Sequence, residues 1–154
     1  MCIRKADIAD IPSLNRLLKQ VLDVHYKGRS DLFNENTKKY TDDELAIVLL
    51  DENRPIFVEE QDGIVVGYVF CVIKQEDGNI LRPIKTLYID DLCVEESCRG
   101  QGIGKRLYTY VLDYAKSQGC YNVTLNVWSC NKDALSFYEK LGLQPQKIYM
   151  EKIL

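Results

Sequence analysis

The run Cys98-Arg99-Gly100-Gln101-Gly102-Ile103-Gly104-Lys105 holds three glycines at alternate positions beside Arg99, Lys105 and Arg106. It stands where a strand-like run, Leu87 to Val94, gives way to an amphipathic helical pattern starting near Gly102. Missing β-carbons at such a junction expose backbone N–H groups at a helix N-terminus, which suits an anion and above all a pyrophosphate. Two familiar phosphate loops are excluded by counting. A Walker A loop would need a glycine at position 99 and a hydroxyl at position 106, where Arg99 and Arg106 stand. A dinucleotide fingerprint meets Lys105 or Leu107 where its third glycine belongs.

Just before the loop, Ile89-Asp90-Asp91-Leu92-Cys93-Val94 sets two carboxylates in an otherwise apolar strand. Such a group can take the proton of a charged nucleophile, an amine for example. An amine of pKa near 10.4 is only about 0.04% neutral at pH 7, a cost of roughly 4.6 kcal/mol. A positioned carboxylate that takes the proton, directly or through water, typically contributes about 10²–10⁴ in rate. Strand alternation predicts that Asp90 and Asp91 face opposite ways unless a bulge intervenes, and a plain salt bridge at the sheet edge is the alternative use of either. Farther on, Asn131 is placed to cap a helix, and Tyr138 follows seven residues later, two turns along the same face.

Arg99 to Gly104 reads Arg-x-x-Gly-x-Gly, and Asn131 to Gly142 reads Asn-x-x-Ala-x-x-Phe-Tyr-x-x-x-Gly. In both segments the chain resembles the GNAT-type N-acetyltransferases. The resemblance implies that the loop (Arg99, Gly100, Gln101, Gly102, Ile103, Gly104 and Lys105) grips the pyrophosphate of acetyl-coenzyme A as co-substrate. It implies further that Leu92, Cys93 and Val94 line the acyl end, where a backbone N–H polarises the carbonyl oxygen. Asn131 would contact the pantetheine arm and Tyr138 would point its hydroxyl at the thioester sulfur. The acid pair most resembles that of the diamine (spermidine/spermine) acetyltransferase branch. Carried across, Asp90 aligns with the base and Asp91 with the neighbour that holds a cationic substrate. Asp90 stands where that branch has Glu, one methylene longer, which favours a bridging water here. His25, Tyr26 and Arg29, with Asp31 and Phe33, fall in the region such enzymes use to select the acceptor. Arg29 and Arg82 are also able to meet an acidic acceptor group. The expected activity is direct acetyl transfer, in a ternary complex, to a primary amine of a small molecule or peptide. A polyamine, a peptide amine and an aminoglycoside-like compound all stay open as acceptors. The alternative is a non-catalytic acyl-coenzyme A sensor on the same fold, which would need the loop but neither Tyr138 nor the acid pair.

Positioning these residues requires a strand at 2–5 and a helix from Ile8 to Val24 carrying Ile11, Leu14, Leu17, Leu18, Val21 and Leu22 on one stripe. An irregular stretch from Tyr26 to Tyr40 precedes a second helix, opened by the capping box Thr41-Asp42-Asp43-Glu44 and running to Leu50. Strands are expected at Pro55–Glu60, Ile64–Lys74 and Lys85–Val94, then the post-loop helix ending before Gly119, a strand at Tyr121–Val127, a helix at Lys132–Leu141 and a last strand at Lys147–Leu154. The order βααβββαβαβ predicts an α/β mixed sheet with helices on both faces, an acyl-coenzyme A N-acyltransferase fold in a single domain over residues 1–154. Dimerisation through the final strands is common in the family, so a homodimer is one expectation, with nothing in Gln144 to Leu154 deciding it.

With 154 residues, a net charge of −3 and scattered basic residues, the chain has no face for nucleic acid and mildly favours cationic small molecules. No apolar run is long enough for a membrane span, and the N-terminus lacks a signal-like region, so a cytoplasmic location is expected. Six cysteines form no Cys-x-x-Cys and His25 is the only histidine, so no metal site is expected. Cys98 and Cys130 flank the site, but a cysteine mechanism would want a histidine base.

Overall fold

A computed structural model describes residues 2–154, leaving Met1 outside. Five strands form one sheet in the order β1-β2-β3-β4-β5: Cys2–Lys5, Ile56–Gln61, Ile64–Gln75, Lys85–Val94 and Asn122–Leu125. The first three pairings are antiparallel and β4–β5 is parallel. The turn at Gln61–Ile64 joins β2 to β3, with Gly63 at φ 77°. The buried middle of β3 is central to both faces, as its near-continuous apolar run requires.

Helices α1 (Ile11–Gly28) and α2 (Asp42–Leu50) cover one face; α3 (Ile103–Ser117) covers the other, and α4 (Lys132–Lys140) follows β5. The apolar stripe of α1, with Leu14, Leu17 and Leu18, packs with Leu45 and Val48 of α2 on Ile56, Val58, Tyr68 and Phe70. On the opposite face Ile103, Leu107 and Val111 of α3 meet Phe57, Val69, Leu87 and Ile89. Thr41 and Glu44 form the reciprocal capping box at the start of α2.

Three sequence expectations need correction. The first helix opens as a short 3-10 turn, Ile8–Asp10, and α1 then runs to Gly28, four residues beyond Val24. Nothing before Gly28 breaks it, and His25 and Lys27 sit favourably in its last turn, so His25 and Tyr26 are helical rather than part of a loop. Strand β5 stops at Leu125, short of Val127. Residues 147–154 form no strand. Their apolar pattern remains, but they pair with no strand among the described residues, and Ile148, Tyr149, Met150, Ile153 and Leu154 are 75–111% exposed.

Candidate active site

The site grows from one irregularity in β4. Phe70 of β3 faces Asp91, but the next residue, Cys71, faces Ile89, so Asp90 is an extra residue. One extra residue reverses strand alternation. Leu87 and Ile89 pack toward α3, whereas Cys93 packs toward α1, with its thiol 3.6 Å from the Leu17 carbonyl. The bulge is the condition under which Asp90 and Asp91 escape opposite faces. It coincides with a second break, because the β4–β5 ladder ends at Ile89↔Leu125. From Asp90 to Val94 the edge of β4 toward β5 has no ladder partner among the described residues. That splayed edge offers backbone N–H and C=O groups to an extended ligand arm.

The two carboxylates then part company. Asp91 turns to the α1 face and accepts a hydrogen bond from the Tyr68 hydroxyl at 2.6 Å. Burial pushes its pKa up to about 6; the Tyr68 bond and the Lys39 charge hold it down, and the Asp90 charge adds to the rise. Asp90 is bound instead by Lys39, whose Nζ donates to Oδ2 at 3.0 Å, both side chains being about a third exposed. Burial alone would lower the Lys39 pKa, but the bond to Asp90 and the charges of both acids outweigh it and raise it. Lys39 is anchored by its neighbour Tyr40, which stacks on Phe70 at 6.1 Å. Sequence reading missed Lys39 and Tyr68, both of which reach the acid pair through tertiary packing.

Val94 leads into a short turn, Glu96–Cys98, and then the glycine loop. Gly100 and Gly102 hold φ of 80° and 76°, the left-handed region where a β-carbon is strained. Gly104 answers a different need, since a β-carbon there would stand 3.1 Å from the Phe137 ring. Gly102 is the N-cap of α3 and brings no side-chain cap, so the first N–H groups of the helix stay available. Arg99 is exposed and donates from Nε to the Val94 carbonyl at 3.3 Å. Ile103 and Cys93 are buried side chains, so only their backbones can meet a ligand. Gln101 and Lys105 are exposed on the loop. The left-handed glycines, open amides and neighbouring cations fit a pyrophosphate.

Asn131 caps α4, its Oδ1 accepting from the Ala134 N–H at 3.2 Å. Two turns later the partly buried Tyr138 lies beside Phe137, ring centroids 5.1 Å apart. Burial raises the pKa of its hydroxyl, and the Asp91 and Tyr108 charges raise it further, so it stays protonated and able to donate. On the acceptor side, His25 packs against Phe33 (5.2 Å) and Trp128 (6.5 Å), with Phe33 edge-on to Trp128 at 5.3 Å. Burial and then the Lys39 charge lower the His25 pKa, so the imidazole is neutral at pH 7. Trp128 is a third residue whose place in the site sequence reading passed over. Tyr26 lies in the last turn of α1. Arg29 is not free to meet an acidic acceptor, because its guanidinium is bound by Asp31 (2.8 Å) and Glu151 (2.5 Å).

A mixed sheet splayed beyond a bulged acid pair, with an anion loop at the end of the same strand, is the architecture of an N-acyltransferase. The profile of the Acetyltransferase (GNAT) family matches residues 18–143, and the chain belongs to that family. It is 30% identical over 139 residues to the thialysine N-epsilon-acetyltransferase of Mus musculus, covering 89% of this chain and 74% of that one. It is 32% identical over 99 residues to the glucosamine 6-phosphate N-acetyltransferase of Arabidopsis thaliana, covering 55% of this chain and 64% of the relative. The crystal structure of a mutant BH1408 protein from Bacillus halodurans superposes with a TM-score of 0.96 at 31% identity, covering 100% of this chain and 99% of that one. By class the chain is an N-acetyltransferase. Among the described residues no helix is long and apolar enough to cross a membrane.

Proposed function

We propose that the chain transfers an acetyl group from acetyl-coenzyme A to a primary amine of a small molecule by direct attack in a ternary complex. The observation that carries this reading is the bulge in β4 that turns Asp91 onto the Tyr68 hydroxyl just where the β4–β5 ladder ends, on the strand that leads into the glycine loop. The thioester supplies the activated acyl group. Asp91 accepts one ammonium proton, directly or through water, so that the freed lone pair can bond the carbonyl carbon, and the second N–H proton passes to solvent as the amide forms. The unpaired backbone of Leu92 to Val94 polarises the carbonyl oxygen. Tyr138 donates a hydrogen bond to the sulfur as the C–S bond breaks, and the thiolate is then protonated from solvent. Asp90, the residue that aligns with the proposed base of the diamine branch, is paired with Lys39 and serves here to set the local charge. The acid pair and the likeness to an enzyme named for thialysine support a cationic amine acceptor.

The cofactor half is tested by titrating acetyl-coenzyme A into the protein and into Gly102→Glu by calorimetry. A side chain at φ 76° is strained, its β-carbon would lie 3.3 Å from Arg106 Nη1, and its carboxylate would repel the pyrophosphate. Binding in roughly the micromolar range, weakened about 100-fold or more in the variant, is expected. Binding without acetylated product by mass across an amine panel would favour the sensor reading.

The unpaired tail and the free outer edge of β5 support a homodimer in which a second copy covers them. Light scattering is expected to report twice the chain mass, and the mass of one chain would overturn it.

A further inference from the structure

Glu59 on β2 has no exposed surface, yet it is ionisable. Its carboxylate is held by Arg106 of α3: Nη2 donates to Oε1 at 2.6 Å, and Nε reaches Oε1 and Oε2 at 3.2 and 3.3 Å. Gln61 Nε2 adds a donor to Oε1 at 3.1 Å. The remaining arm of the guanidinium, Nη1, donates to the backbone carbonyl of Gln101 at 2.9 Å. That carbonyl belongs to the glycine loop.

An ion pair with one buried partner is weak evidence for stability, since an apolar pair of similar volume often does as well. What an apolar pair cannot do is aim a donor. The guanidinium is planar, so gripping one edge on Glu59 fixes the direction of the third nitrogen. In a trans peptide the C=O of Gln101 and the N–H of Gly102 point opposite ways. Pinning the carbonyl inward therefore turns the Gly102 N–H outward, to the side where the loop meets an anion. Arg106 itself is committed to Glu59 and Gln101, which separates it from Arg99 and Lys105 as a direct ligand.

We propose that Glu59 and Arg106 are positioning residues, a strut rooted on the buried Glu59 that sets the direction of the Gly102 amide for the diphosphate of coenzyme A. The proposal rests on the reading of residues 99–104 as the pyrophosphate loop. It predicts an effect confined to the phosphate end of the ligand. The ¹⁵N-labelled protein is titrated with coenzyme A and, separately, with pantetheine, which shares the thiol arm but has no diphosphate. Arg106→Lys keeps the charge but loses the fork, and is expected to weaken coenzyme A about tenfold. Pantetheine affinity should stay within about twofold, because its contacts lie elsewhere. Glu59→Gln should show the same split, and a dispersed amide spectrum identifies the variants that fold. Equal weakening of both probes, or no weakening of either, overturns the strut. If the parent protein binds coenzyme A no better than pantetheine, the loop reading fails and the strut falls with it.

Discussion

Asp91→Asn is expected to lower kcat by about 10²–10⁴, the usual worth of a positioned general base, with acetyl-coenzyme A affinity unchanged. The reason for choosing Asp91 over Asp90 is electrostatic. Asp90 is already engaged by Lys39 at 3.0 Å, so its carboxylate oxygen is occupied where an acceptor amine would have to bind. Asp91 is partly buried, bonded to Tyr68, and pushed up to about 6, near the operating pH that makes a base effective. Activity should therefore rise with pH through an apparent pKa near 6 and fall away as Asp91 is protonated below it. Because Lys39 lowers the Asp91 pKa, Lys39→Met should move that limb to higher pH. Asp90→Asn should move it the other way while retaining most of the rate. Stability supplies an independent sign. A carboxyl whose folded pKa lies above its unfolded value stabilises below the unfolded pKa, and that contribution is lost as pH rises through the folded one. Charged Asp91 is thus a burden on the fold at pH 7, so Asp91→Asn should raise the melting temperature there and change it less near pH 4. A variant that loses activity while gaining stability is not merely misfolded. A full rate in Asp91→Asn, with a collapse in Asp90→Asn, would return the base to Asp90.

The site was legible in sequence wherever its chemistry is local. Three alternate glycines after a strand need no tertiary knowledge to read as an anion loop, and β4, Lys85–Val94, follows directly from its β-branched and aromatic run. The cap at Asn131 is equally local, a side chain bonding an amide three residues away. What stayed hidden depends on contacts distant in the chain. Lys39 reaches Asp90 across 51 positions and Tyr68 reaches Asp91 across 23, and no spacing rule announces either. The bulge was legible only as a condition, because two adjacent acids in an apolar strand signal an irregularity without showing which one turns inward. The tail fails for the opposite reason. Residues 147–154 have the pattern of a strand, but a strand also needs an edge to pair with, and that requirement is not written in its own residues.

Tyr138→Phe is expected to lower kcat by about 10²–10³, the typical loss of one donor aimed at developing charge, with coenzyme A affinity nearly unchanged. A tyrosine of ordinary pKa near 10 is a weaker acid than a thiol near 8.5, so full proton transfer to the departing thiolate is uphill by about 2 kcal/mol. Burial and the Asp91 charge raise the Tyr138 pKa further, which makes complete transfer less favourable still. In the proposed mechanism the hydroxyl is a fixed hydrogen-bond donor whose bond strengthens as negative charge gathers on sulfur, a contribution absent from the bound ground state. A dependence on the leaving group follows. An acetyl thioester of a more acidic thiol needs less help at sulfur, so the ratio of parent to Tyr138→Phe rates should shrink with it. Removing the hydroxyl leaves the ring against Phe137 in place, and the α4 packing with it. Equal losses in turnover and in coenzyme A affinity, with no sensitivity to the leaving thiol, would mean that Tyr138 serves the packing of α4 and that the thiolate leaves unassisted.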